Sequence, residues 1–170
     1  MQDTLLVFTS DNGPVWYPAD VARLGHDAVG GLRGMKADAW EGGHRMPFIV
    51  RWPGRVKAGT VSDQTICFTD LLATFADICG AKLSAGAGPD SFSLLPVLEG
   101  RQPEGQPVRG PIVMQAGSSL AMMIRSGDWK LINALGSGGF SKPSSIKARP
   151  GERAVQLYNL RSAAAETTNL

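Results

Sequence analysis

The stretch from Thr4 to Thr9 most constrains what this chain can fold into. It reads Thr-Leu-Leu-Val-Phe-Thr, almost all apolar or β-branched and without polar alternation. A continuous run of this kind fits a strand buried on both faces, as in a parallel sheet covered by helices on either side. The run stops at Ser10-Asp11-Asn12-Gly13-Pro14. In open α/β sheets, ligands bind beyond the carboxyl ends of the strands, which is where Asp11 and Asn12 stand. A carboxylate beside an amide carbonyl offers hard oxygen donors suited to Ca²⁺ or Mg²⁺, and Gly13 lets the backbone turn sharply. A plain Asx turn closing the strand is the competing reading of the same residues.

A strand buried on both faces needs neighbours, and only one other segment of the same type is present. Phe48 to Trp52 reads as a short strand stopped by Pro53-Gly54. Between the two, residues 14–31 are rich in loop formers. Thr69 to Cys79 carries apolar residues at helical spacing, with Thr69 as a candidate N-cap and Gly80 as a stop. Residues 84–90 read as a linker, and 93–98 as one short helix. After Pro111 the pattern changes. Residues 111–116, 120–125, 129–134 and 155–160 read as short strands of an antiparallel meander, with a turn at Ser126-Gly127-Asp128. The Gly/Ser/Lys/Pro-rich residues 136–150 read as a mobile loop. The chain therefore divides near residue 100 into an α/β part, 1–100, and a small antiparallel part, 101–170. Two buried strands alone do not make a stable doubly wound sheet, so the chain is expected either to dock on a partner or to be the C-terminal portion of a larger protein.

Composition limits the function classes. With 43% hydrophobic and 19% charged residues the sequence suits a globular domain rather than a disordered segment. A net charge of +2 gives no electrostatic case for nucleic acid, and no apolar stretch approaches the length of a membrane span. Cys67 and Cys79 lie in the apolar, helix-like segment and read as small core residues rather than a disulfide or metal pair.

A second segment adds to the chemistry. Residues 30–54, GGLRGMKADAWEGGHRMPFIVRWPG, set Arg33, Lys36, Glu41, His44 and Arg45 among glycines just ahead of the second strand. Glycine lets backbone approach a ligand closely, and Lys36 is a compact cation able to hold an oxyanion as a point charge. Glu41 and Arg45 read as a structural ion pair fixing the loop, and His44 as a packing or hydrogen-bonding residue. His26, next to Asp27, is a candidate substrate contact.

These residues resemble the second half of a type I sulfatase of the alkaline-phosphatase-like superfamily. TLLVFTSDNG and GGLRGMKADAWEGGHRMPFIVRWPG carry the likeness. It continues in order through FTDLLATFADICGA, DSFSLLPVLEG and MMIRSGDWKLI, and ends with QLYNLRSAAAETTNL. The resemblance implies the C-terminal part of a doubly wound alkaline-phosphatase-like sheet followed by a small antiparallel subdomain. It implies that Asp11 and Asn12 are ligands of an active-site Ca²⁺, with Mg²⁺ as the alternative, and that Lys36 contacts the sulfate. The reaction implied is hydrolysis of a sulfate ester, on a sulfated small molecule or glycan, by an intact parent that is periplasmic or secreted.

The sequence departs from the family pattern in one respect that matters. The family's nucleophile is a hydrated formylglycine made from Cys or Ser in a C/S-x-P-x-R motif, and no such motif occurs here. Formylglycine and the family's paired N-terminal aspartates are therefore expected in a missing N-terminal half. The isolated chain is expected to be inactive, and to need that half or to self-associate. Two other readings share the residues: a non-catalytic anion- or glycan-binding module or subunit of a split enzyme, and a related phosphoesterase or phosphonate hydrolase. A smaller departure is RSAAAETTNL in the tail, where the family often has an acidic, Pro/Gly-containing turn.

Overall fold

The structure, a computed structural model, describes residues 2–117 and 119–170. The fold is mixed α/β. In chain order it comprises β1 (Leu6–Thr9), α1 (Pro18–Leu24), a 3-10 turn (Glu41–Gly43), β2 (Phe48–Arg51), α2 (Asp70–Ile78), α3 (Leu95–Leu98), β3 (Ile112–Gln115), β4 (Met122–Ser126), β5 (Trp129–Ile132) and β6 (Gln156–Asn159). β1 pairs with β2, and β3 to β6 form a four-stranded sheet in sequential order. Contacts group the chain into two compact units, residues 1–8 with 49–110 and residues 9–48 with 111–170. Among the described residues no helix is long and apolar enough to cross a membrane.

The strands fall where the sequence places them, but β1 is not buried on both faces. Its side chains alternate, with Phe8 62% exposed, and Ile49 on β2 is 60% exposed. Pairing with β2 satisfies backbone groups along one edge, yet among the described residues nothing covers that apolar face. The cysteines also differ from expectation. Both are free thiols, Cys67 half-buried ahead of α2 and Cys79 exposed at its C-terminal end. Thr69 does not cap α2 with its side chain. Asp70 instead ties the chain ahead of the helix to its first turn, accepting a hydrogen bond from the Cys67 N–H at 2.7 Å.

In the first unit Asp70 is also the centre of a buried clamp. Arg109 donates to Asp70 at 2.8 Å and to Asp90 at 2.6 Å, and Asp70 accepts from the Phe92 N–H at 3.1 Å. Thr74 binds back to the Asp70 carbonyl at 2.6 Å and accepts from the Leu94 N–H at 2.9 Å. The stretch that follows α2 is thereby tied to the start of the helix.

In the second unit the antiparallel register fixes which residues face inward. Met114, Met123, Ile132 and Gln156 stand opposite one another across the four strands, as do Ile112, Arg125, Lys130 and Tyr158. Met123, Ile132 and Tyr158 join Ala39, Trp40, Ala116, Ala121 and Leu160 in one apolar core. The alternate row, Val113, Ile124, Leu131 and Leu157, lies on the other face, as period-two alternation requires. Residues 38–43, ahead of β2, are thus anchored on the meander, since Ala39 and Trp40 belong to its core. The segment from 136, expected to be a mobile loop, is packed at its start. Ser137 is fully buried, its hydroxyl donates to the Ser141 carbonyl at 2.7 Å, and its carbonyl accepts the Ala39 N–H at 2.8 Å.

Candidate functional site

The tip after β1 and the loop around Lys36 are fastened together by backbone. The Gly13 N–H donates to the Gly43 carbonyl at 2.9 Å, and the Lys36 N–H donates to the Pro14 carbonyl at 2.8 Å. Glycine is required at the crossing, because a Cβ on Gly13 would fall on the carbonyl oxygen of Gly42. A Cβ on Gly42 would in turn press on the carbonyls of Gly34 and Arg33. The glycines of SDNG and EGG are therefore two sides of one close approach. That approach brings together the segments bearing Asp11, Asn12 and Lys36, which are twenty-odd residues apart in sequence.

Asp11, Asn12 and Lys36 are carried on these tied segments, and of the three Asn12 alone lines the hollow beside the crossing. Asp11 is exposed and accepts only a long contact from the Ser10 hydroxyl, 3.5 Å. Asn12 is half-buried and lines a shallow hollow with Ser10, Pro14, Val29, Arg45 and Met46. Lys36 is half-buried. Asp11 and Asn12 supply one carboxylate and one amide oxygen, a donor set that fits part of a hard-cation shell. Among the described residues, no group of three or more His, Cys, Asp or Glu side chains could hold a metal by itself.

His26 is placed differently. Its ring meets Trp16 edge-to-face, with centroids 5.9 Å apart, and its carbonyl accepts the Trp16 indole N–H at 2.8 Å. Asp27 beside it closes a turn, accepting from the N–H groups of Val29 and Gly31 at 3.1 and 2.7 Å. These bonds hold His26 on its own exposed loop, with no hydrogen bond to Asp11, Asn12 or Lys36.

Behind the crossing lies a buried ionic cluster. Arg45 is only a distant partner of Glu41, at 3.8 Å, so the expected pair is the weakest of the set. Fully buried Lys130 lies 3.1 Å from Glu41 and 2.9 Å from Glu166, which are also fully buried. Arg125 reaches Glu41 at 3.2 Å, and His44 Nε2 lies 3.1 Å from the same carboxylate. Burial alone would raise the Glu41 carboxyl. The His44 hydrogen bond and the positive charges of Lys130, His44 and Arg125 outweigh it and hold the group at about 2. Glu166 goes the other way, pushed up by burial against the pull of Lys130. Its second oxygen accepts the Glu41 N–H at 2.6 Å.

Sequence reading places Arg33 and Lys36 in one segment and Asp11 and Asn12 at the strand end, but it does not find Lys130 or Glu166, nor the partners of Arg33. Arg33 stacks on Trp40 at 3.6 Å and donates to the Glu166 carbonyl at 2.8 Å and the Tyr158 hydroxyl at 3.2 Å. Nothing in local spacing couples residues more than a hundred positions apart. The one available signal is that Lys130 occupies a core-facing position of its strand, where a lone lysine needs a buried counter-charge.

The family model described as Sulfatase matches residues 1–81. Over 99% of its length the chain is 33% identical to an N-acetylgalactosamine-6-O-sulfatase of Bacteroides thetaiotaomicron, of which it covers 33%. Over 97% it is 30% identical to the arylsulfatase G of Mus musculus, again covering 33% of that protein. A solved structure from work on glycosaminoglycan metabolism by Bacteroides thetaiotaomicron superposes with a TM-score of 0.75 at 34% identity, over 99% of this chain and 35% of that one. The chain thus spans about a third of the length of the curated relatives named here.

Proposed function

Because this chain belongs to the sulfatase family, we propose that it forms the metal- and sulfate-holding part of a sulfuric ester hydrolase. The observation that carries the reading is the double backbone tie, Gly13 to Gly43 and Lys36 to Pro14. It ties the segment bearing the carboxylate–amide pair to the segment bearing the ammonium group. Asp11 and Asn12 are the proposed ligands of a divalent cation, Ca²⁺ rather than Mg²⁺, because one carboxylate and one neutral oxygen suit a large shell shared with other ligands. A cation there would polarise the sulfate oxygens.

The chain's own residues then divide the remaining work. Lys36 offers three N–H donors on a flexible stem to a sulfate oxygen, and its charge stabilises the negative charge of the transferring group. Gly13, held on Gly43, fixes the tip against the loop that carries Lys36. His26 is a proposed contact to the alcohol portion of the substrate, reached from its exposed loop beside Trp16. Sulfatases in general use formylglycine as nucleophile. Since no C/S-x-P-x-R motif lies in these 170 residues, the nucleophile would come from polypeptide outside them. The proposed substrate is a sulfated glycan, in keeping with relatives named for N-acetylgalactosamine 6-sulfate and studied in glycosaminoglycan metabolism. A periplasmic or secreted location fits such a substrate.

A hybrid tests this reading. Residues 1–170 replace the matching third of the Bacteroides N-acetylgalactosamine-6-O-sulfatase, and release of sulfate from N-acetylgalactosamine 6-sulfate is measured. The hybrid is expected to be active, and Lys36→Ala to lower kcat/KM by about 10²–10³-fold, with Asp11→Ala at least as severe. An active hybrid indifferent to both substitutions would overturn the assignment.

A further inference from the structure

The ionic cluster behind the crossing and the strained backbone beside Lys36 point to the same device. Ala37, next to Lys36, has φ +73°, a left-handed conformation that alanine rarely adopts. Such a residue persists only where its surroundings over-determine it. Here Gly117 and Gly139 close on it from the meander, and a Cβ on either would collide with Ala37. Asp38, which follows, accepts from the Met35 N–H at 2.9 Å and from the Ser141 N–H at 3.0 Å.

The other end of the loop is held by Glu166, the second non-glycine residue with positive φ, at +50°. One Glu166 oxygen takes the Glu41 N–H and the other faces Lys130, while its main-chain carbonyl takes Arg33. Lys130 in turn faces both Glu41 and Glu166. One residue of the C-terminal tail thus grips both Arg33 and Glu41, which flank Lys36, and the Gly42 N–H closes the loop on the Arg33 carbonyl at 2.7 Å.

We infer that Glu166 is a positioning residue for Lys36: through Glu41, Lys130 and Arg33 the tail holds the lysine-bearing loop against the Asp11–Asn12 tip. This rests on the proposed role of Lys36, but the hold itself can be measured apart from that role. A general contribution to stability would loosen the crossing and the β3–β4 pair together. A positioning role makes the crossing the first thing to loosen.

The experiment is amide hydrogen exchange, residue by residue, on the 170-residue chain and its Glu166→Gln variant. Gln keeps the shape and removes the charge facing Lys130. The amides of Lys36, Gly13 and Gly42 are expected to exchange at least ~10-fold faster in the variant, while those of Ile124 and Met114 in the β3–β4 pair stay within about twofold. Glu166→Asp, which keeps the charge but shortens its reach, is expected to give the same pattern at reduced size, and it decides the matter if Glu166→Gln does not fold. Unchanged exchange at the crossing, or uniform acceleration that includes the β3–β4 pair, would overturn the inference. Sulfate titration followed at the Lys36 ammonium separates the two claims. Failure of Lys36 to respond to sulfate would count against the functional reading and leave the exchange result standing.

Discussion

Glu41 receives charge from Lys130, His44 and Arg125 while being fully buried, and this fixes how the fold answers acid. Its folded-state value of about 2 lies below the ordinary 4.5. A depressed carboxylate stabilises the fold fully above its unfolded value, and that contribution fades as pH falls from about 4.5 through about 2. Glu166, raised by burial, has the opposite sign, since its contribution is full below the ordinary value and is lost as pH rises through the raised one. Urea unfolding of the native chain and Glu41→Gln at pH 7 and pH 3 checks the balance. The variant is expected to be less stable at pH 7 by on the order of 3 kcal/mol, and the gap to narrow at pH 3. At this scale the sequence offered Asp11, Asn12 and Lys36 as candidates because each is a chemically distinct residue at a strand end or among glycines, and the structure ties their segments together by backbone. Glu41 was legible as an ion-pair member with Arg45, but its closer partners were not, since Lys130 and Arg125 reach it only through the folding of the distant meander.

The elements differ in how openly their sequences declare them. The six strands are short runs bounded by glycine, proline or polar turns, so period and punctuation suffice. Helix α1 was not expected, although its signals are present. Pro18 stands in the first turn, the Tyr17 N–H bonds to Asp20 at 3.2 Å, and Gly25 ends the helix at φ +62° with its N–H on Val21. Its seven residues give too little periodicity to stand out from the surrounding loop formers. The start of residues 136–150 differs from the expected loop for the opposite reason, because Gly139 and Ser141 pack against Ala37 and Asp38, while most of residues 142–150 are exposed. The tail RSAAAETTNL lacks the family's usual turn residues yet still turns, with Glu166 N–H on the Ala163 carbonyl at 3.0 Å. The crossing gives the element-scale prediction. Gly42→Ala forces a methyl against the Gly34 and Arg33 carbonyls, and is expected to destabilise the fold by about 1–3 kcal/mol, read as a lower urea midpoint. An unchanged midpoint would mean that the close approach is not tight.

Across the whole molecule, the sequence divides at about residue 100, whereas packing groups residues 9–48 with the C-terminal meander. The grouping has a functional sense, because the proposed metal and sulfate groups then belong to one compact unit with the cluster that steadies them. The exposed Phe8 and Ile49 leave an apolar strand face uncovered, which agrees with the proposal that the chain associates with further polypeptide or with itself. Asp11, Asn12 and Lys36 are proposed to share one ligand surface. Titrating the ¹⁵N-labelled chain with Mn²⁺, a paramagnetic stand-in for the hard cation, tests it most directly. The resonances of Asp11, Asn12 and Gly13 are expected to broaden first, together with the Lys36 amide. Broadening that begins at other surface carboxylates such as Asp63 or Glu152 and spares the tip would contradict it.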